Sequence, residues 1–145
     1  MFQGTSALSL DAKGRMTIPT RLRPAFAEAD GSFVVLTRHP DGCLLMYQRP
    51  MWAEKGPELA ALAFNSRHWQ RMFLGYAQEI EVDAAGRVLI PPELRAVAGL
   101  DGEDRNVTLM GVGSHFEIWN AATLKKFEEA QSGAELPESI AGFRL

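Results

Sequence analysis

Residues Leu8 to Ala27, LSLDAKGRMTIPTRLRPAFA, are written again 72 positions later at Ile80 to Gly99, as IEVDAAGRVLIPPELRAVAG. Eight of the 20 positions are identical: Asp11/Asp83, Ala12/Ala84, Gly14/Gly86, Arg15/Arg87, Ile18/Ile90, Pro19/Pro91, Leu22/Leu94 and Arg23/Arg95. Average composition would give roughly one or two. A chain with this repeat folds as two like units, either strung apart or packed into one another. Length favours the second arrangement. Half of 145 residues is marginal as an independent fold, so one compact domain over residues 1–145 with a shared core is expected.

Each copy reads as a small unit: a strand, a tight turn at Asp-Ala-x-Gly-Arg, a short strand ending at Ile-Pro, and a helix bearing Leu-Arg. Asp11 and Asp83 are expected to organise the turns by bonding the backbone two residues on, while Gly14 and Gly86 accept a positive φ. Pro19 and Pro91 cannot donate to a ladder, so they end the second strand and suit the first turn of a helix. Nothing in the turn itself requires the arginine after the glycine. Two readings therefore stand side by side. Both turns are alike because two copies of one fold need the same corner, or Arg15 and Arg87, with Lys13, are held on rigid tips to meet an anionic partner. A planar five-donor fork suits phosphate or a guanine edge.

Charge is uneven along the chain. The net charge is -3, yet residues 1–72 carry nine Lys/Arg against six Asp/Glu, and residues 73–145 carry six against twelve. Between Asp11 and Arg23, the cations Lys13, Arg21 and Arg23 join Arg15 against Asp11 alone, whereas Asp83 to Arg95 balances at zero. The first copy is thus the electropositive one and is expected to make most phosphate contacts, through Lys13, Arg21 and Arg23. A weakly basic patch on an acidic chain implies modest affinity per protomer, which oligomerisation would raise by avidity.

The remaining segments fill out the two units. Thr5 to Leu10 and Met16 to Ile18 read as the arms of a first hairpin, with a short helix from Thr20 to about Ala27 that Pro24 limits. Phe33 to Arg38 and Cys43 to Gln48 read as strands joined by His-Pro-Asp-Gly. The second copy repeats them at Asn106 to Met110 and His115 to Trp119, which places Tyr47 and Trp119 at equivalent positions, read as core aromatics. A helical bridge lies between the copies, with Gly56-Pro57 expected to interrupt its first helix and a further helix from about Ser66 to Leu74. Ala121 to Gln131 is expected to be a helix capped by Asn120, followed by a tail without periodicity. The boundaries are residues 5–52 for the first repeat, 53–79 for the bridge, 80–124 for the second repeat and 125–145 for the helix end and tail.

The opening MFQGTSALSLDAKGRMTIPTRLR, then CLLMYQ, FLGYAQEIEVDAAGRVLIPPELRAVAGL and FEIW together resemble the MraZ family. The resemblance runs from Met1 to about Leu124 and rests on an Asp-x-x-x-Arg motif in each copy, Asp11 to Arg15 and Asp83 to Arg87. It implies a β-rich α+β fold of two tandem AbrB/SpoVT-type swapped-hairpin repeats, closed as an intramolecular pseudo-dimeric β-barrel with peripheral helices. It also implies a ring-shaped homo-oligomer that binds repeated promoter sites on double-stranded DNA upstream of cell-division and cell-wall genes, usually as a repressor. Where this chain departs from the family's usual look, at Gly56-Pro57 and in its short tail, subunit packing is the property affected.

Other chemistry finds little footing. His39, His68 and His115 lack Cys, Asp or Glu at metal-ligand spacing, Cys43 reads as a buried small hydrophobe, and no phosphate-binding glycine loop or nucleophile elbow occurs. No enzyme, metal, cofactor or small-molecule substrate is expected. No run approaches the ~18 apolar residues of a membrane span, the first residues do not read as a signal peptide, and a single cysteine forms no internal disulfide, so a cytoplasmic protein is expected, and the DNA binding that the resemblance implies would make it nucleoid-associated. Two rival readings remain. Swapped-hairpin units also occur in antitoxins that bind a partner protein, and Glu79, Glu81 and Asp83 alternate on one strand face where a carboxylate pair or a hard cation could act.

Overall fold

A computed structural model describes residues 1–28 and 32–144 of the chain. The strands are β1 (Thr5–Ser9), β2 (Arg15–Thr17), β3 (Phe33–Arg38), β4 (Leu44–Gln48), β5 (Gln78–Glu81), β6 (Arg87–Leu89), β7 (Asn106–Gly111) and β8 (Phe116–Asn120). The helices are α1 (Arg23–Glu28), α2 (Arg49–Ala60), α3 (Arg67–Phe73), α4 (Pro92–Val97), α5 (Ala121–Gln131) and α6 (Glu138–Ala141). Six strands form one antiparallel sheet in the order β1-β7-β8-β4-β3-β5, and β2 pairs with β6 in a separate two-stranded ribbon.

The pairing is an exchange between copies. The arms of each expected hairpin do not form a ladder with each other: β1 pairs with β7 of the second copy, β5 pairs with β3 of the first, and β2 pairs with β6. Met16 faces Val88 in the ribbon and Leu45 faces Glu117 in the sheet. The members of each facing pair lie 72 positions apart in the chain, so a pseudo-two-fold axis passes between them. The symmetry slips once. Val34 pairs with Gln48 and Val107 with Asn120, which puts β7 one residue later than the repeat predicts, because its hairpin loop is one residue shorter than the His-Pro-Asp-Gly-Cys loop of the first copy.

The interlocked α+β fold agrees with the expectation, but its barrel does not close among the described residues. The strands β1 and β5 remain the edges of the sheet. Each ribbon strand is three residues long and runs within two residues into Pro19 or Pro91, which have no N–H with which to extend pairing toward those edges.

Two apolar clusters explain the near-continuous hydrophobic runs of β3 and β4, strands covered on both faces. On one face, Leu36, Met46, Leu109 and Phe116 pack with Met16 and Val88 of the ribbon, Phe26 of α1 and Leu94 of α4. On the other, Val35, Leu45, Tyr47 and Trp119 pack against Trp52 of α2, Phe73 of α3, and Leu124 and Phe127 of α5. Tyr47 and Trp119 are thus core aromatics, and Cys43 is buried beside them, its thiol pushed up to about 12 by burial and then by the Glu117 carboxylate. The ribbon therefore stands on the side of the sheet away from α2 and α5.

The helices follow local chemistry with one departure. Asn120 Oδ1 accepts the Thr123 N–H at 3.0 Å and caps α5, while Pro24 sits at the second position of α1, where its missing N–H costs nothing. Gly56-Pro57 does not interrupt α2, which runs through it. Ala53, whose carbonyl Pro57 leaves without its helical donor, is exposed, and so is Pro57, so the freed group lies on a stretch of helix open to solvent. The buried Gln70 of α3 donates Nε2 to the carbonyls of Leu59 and Leu62 at 3.1 and 3.2 Å, tying α3 to the end of α2. Trp69, at helical spacing from Met72 and Phe73 in α3, is 43% exposed. No helix among the described residues is long and apolar enough to cross a membrane.

Candidate nucleic-acid interface

The two Asp-Ala-x-Gly-Arg turns are built bond for bond alike. In the first, Gly14 N–H donates to the Asp11 carbonyl at 3.0 Å and Asp11 N–H to the Arg15 carbonyl at 3.0 Å, closing the reversal. Asp11 Oδ1 accepts the N–H groups of Lys13 and Arg15 at 3.0 and 2.9 Å, and Oδ2 accepts Arg15 Nε at 2.6 Å. In the second, Asp83 Oδ1 accepts the N–H groups of Ala85 and Arg87 at 3.0 and 2.8 Å, and Oδ2 accepts Arg87 Nε at 2.7 Å. Gly14 and Gly86 hold φ of +85° and +78°, a region that side-chain-bearing residues avoid. Asp and Gly thus occupy the turn places read for them, with one addition: each aspartate also grips its arginine.

That grip orients the arginine without hiding it. Each ion pair uses Nε, and no hydrogen bond among the described residues takes the terminal Nη nitrogens of Arg15 or Arg87. Their side chains are 28% and 39% exposed. The Arg15 N–H, then its guanidinium and the Lys13 N–H, hold the Asp11 carboxyl down at about 2, and the Arg87 N–H and guanidinium lower that of Asp83. Both aspartates are therefore anionic at neutral pH and hold their partners fixed.

The ribbon sets the spacing of the two arginines. Arg15 lies opposite Leu89 and Thr17 opposite Arg87. With Met16 and Val88 fully buried beneath, alternation puts Arg15, Thr17, Arg87 and Leu89 on the outward face. The arginines occupy one diagonal of that face, about 7–8 Å apart at the backbone. Thr17 and the 46% exposed Leu89 fill the other diagonal. Sequence reading alone misses these two. Each lies two residues from an arginine along its own strand and directly opposite the other copy's arginine across the ladder, and the second relation exists only once β2 and β6 are known to be partners.

The other cations divide. Lys13 is exposed at the first turn, where Ala85 stands in the second. Arg21 is exposed and donates Nη2 to Ser6 Oγ at 2.7 Å. Arg23 is half-buried, donates Nε to the Ile18 carbonyl at 2.9 Å and lies against Gly86. Arg95 lies in the same way against Gly14. The acidic strand face is dispersed, since Glu79 is paired with Arg49 and Asp83 is taken up in its turn.

The chain matches the family model described as "MraZ protein, putative antitoxin-like" twice, over residues 1–74 and 72–139. It is 52% identical over 143 residues to the transcriptional regulator MraZ of Cupriavidus taiwanensis, with 99% of each chain covered. The proteins of the same name from Ralstonia pickettii and Bordetella pertussis are 51% identical over 144 residues and 49% identical over 143, again with 99% of each chain covered.

Proposed function

Because this chain belongs to the MraZ family of transcriptional regulators, we propose that it acts without catalysis, by binding double-stranded DNA sequence-specifically through the outward face of the β2–β6 ribbon. The observation that carries this reading is the diagonal pair of arginines, each clamped through Nε by its own aspartate with its Nη nitrogens left over. A major groove about 12 Å wide admits a two-stranded ribbon, and an arginine fork pairs with the O6 and N7 of guanine. Thr17 and Leu89, between the arginines, suit contact with thymine methyl groups. Lys13 and Arg21 lie outside the ribbon's inner ladder and serve the phosphates, which position the protein rather than inform it. Asp11 and Asp83 aim the arginines and need not touch DNA.

In this reading the protein works in the cytoplasm at the nucleoid, as a repressor of cell-division and cell-wall genes that include its own operon. Several protomers in a homo-oligomeric ring, each with one weakly basic patch, would present their ribbons to repeated promoter sites, with avidity making up for a net charge of -3 per chain. The test is a footprint of the full chain on the DNA upstream of its own gene across a salt series, with the mass of the complex read by light scattering. Protection at evenly spaced repeats by a complex of several protomers is expected. No protection above that of unrelated DNA at any salt would contradict it.

A second reading, an antitoxin-like interaction module, draws on the family description and on the tail, where Leu136, Ile140 and Phe143 are 70%, 52% and 71% exposed. Co-purification of a stoichiometric partner protein that is lost when residues 132–145 are removed would favour it.

A further inference from the structure

Arg23 and Arg95 hold the same place in the two copies, and each reaches across to the turn of the other. A Cβ built on Gly14 would stand 2.5 Å from Nη1 and 2.6 Å from Cζ of Arg95. One built on Gly86 would stand 2.8 Å from Cζ of Arg23, with Nε closer still. Both glycines are buried. Around them the backbone is stitched across copies in the same reciprocal way, Ile18 N–H donating to the Gly86 carbonyl at 2.8 Å and Ile90 N–H to that of Gly14 at 3.1 Å. The Arg23 guanidinium is anchored at the Ile18 carbonyl. Arg95 Nε is enclosed and makes no hydrogen bond among the described residues. What Arg95 supplies at Gly14 is therefore shape, its planar guanidinium filling the space that a side chain there would take.

We propose that Arg23 and Arg95 are positioning residues, each fixing the opposite copy's arginine-bearing turn relative to its own so that Arg15 and Arg87 present one rigid pattern. The proposal rests on the ribbon being the DNA-reading face, and it takes Arg23 out of the phosphate contacts. The bonds around Asp11 and Asp83 are all internal to their own turns, so they fix the shape of each turn but not its place. The three-residue ladder fixes the strands. Among the described residues, the guanidinium seated on the glycine and the Ile-to-Gly bond beside it meet the far side of the tip, while the Leu10-to-Arg105 and Val82-to-Ser32 backbone bonds hold the strand that leads into it. A site left looser by about an ångström loses its function even when every group is present.

The test uses the full chain with Arg23→Lys, Arg23→Met, Arg95→Lys and Arg95→Met, each checked for folding by thermal melting. Lysine keeps the charge and lacks the flat face, so a positioning role predicts that Lys and Met variants alike weaken operator binding by about tenfold, with the wild-type salt slope. It also predicts that the Arg95 variants move the amide resonances of Gly14 and Arg15 in the free protein while leaving those of Gly86 and Arg87 in place, and that the Arg23 variants do the reverse. Rescue by lysine, a salt slope lowered by about one in the Met variants, or unmoved resonances at the opposite turn would each overturn the proposal. The Lys variants carry the test should a Met variant fail to fold. If the wild-type chain binds no DNA, the proposed function falls, and the resonances still decide whether the arginines hold the opposite turns.

Discussion

The turn at Asp11 to Arg15 and the turn at Asp83 to Arg87 share every hydrogen bond to within 0.1 Å, yet the first is flanked by Lys13 and Arg21 where the second has Ala85 and Glu93. Equal geometry with unequal charge separates two jobs. The frame that aims an arginine is local, made by one aspartate and one glycine, and it appears in both copies. The attraction to a polyanion is additive over whatever cations lie nearby, and it is concentrated on the first. The two turns should therefore be equivalent in reading bases and unequal in holding phosphate.

The largest effect comes from removing what both turns share. Met16 is fully buried on the pseudo-two-fold axis, opposite Val88, and Met16→Ala is expected to cost about 2–5 kcal/mol of stability, read as the shift of the urea unfolding curve. It should disturb the resonances of both turns; a disturbance confined to the first copy would break the picture of a common frame. Next come the arginines. Arg15→Ala and Arg87→Ala are each expected to weaken operator binding by about 1–3 kcal/mol, and by similar amounts. A loss from Arg15 alone would mean that the copies do not read equally.

The aspartates give a smaller, pH-dependent effect of the same sign in both copies. Held at about 2 instead of its ordinary 3.8, the Asp11 carboxyl favours the folded turn whenever it is ionised. That contribution is complete above 3.8 and fades as the pH falls from there through about 2. The difference in urea midpoint between the wild-type protein and Asp11→Asn should shrink over that window, and Asp83→Asn should behave alike in direction. A difference independent of pH would show that the carboxylates contribute nothing as charges. Smallest is the exchange of flanking charge. Lys13→Ala should lower the slope of log affinity against log salt by about one, and Ala85→Lys should raise it by about one, with the preferred operator unchanged in both.

The turns were readable from the chain because their causes are short-range: an aspartate bonding two and four residues on, a glycine at positive φ, a proline ending a strand. The exchange of strands was not. Ser6 and Leu8 carry the same alternation whether β1 lies beside β2 or beside β7, and periodicity names a face but never a partner. For that reason the sequence does not single out Thr17 and Leu89, nor does it separate Arg21 from Arg23, two cations two residues apart of which one is exposed and the other lies on Gly86. The missing break at Pro57 has a similar origin, since the cost of its lost hydrogen bond depends on whether Ala53 faces water, and only the folded chain decides that.

One titration tests the central claim most directly: the double variant Arg15→Ala/Arg87→Ala, against the wild-type chain, on DNA from upstream of its own gene and on a scrambled duplex of equal length, over a range of salt. Specific and non-specific affinities should converge for the variant while its resonances outside the ribbon stay in place. If the variant still prefers the upstream DNA by the wild-type ratio, the arginines on the ribbon's diagonal do not read sequence and the account is wrong.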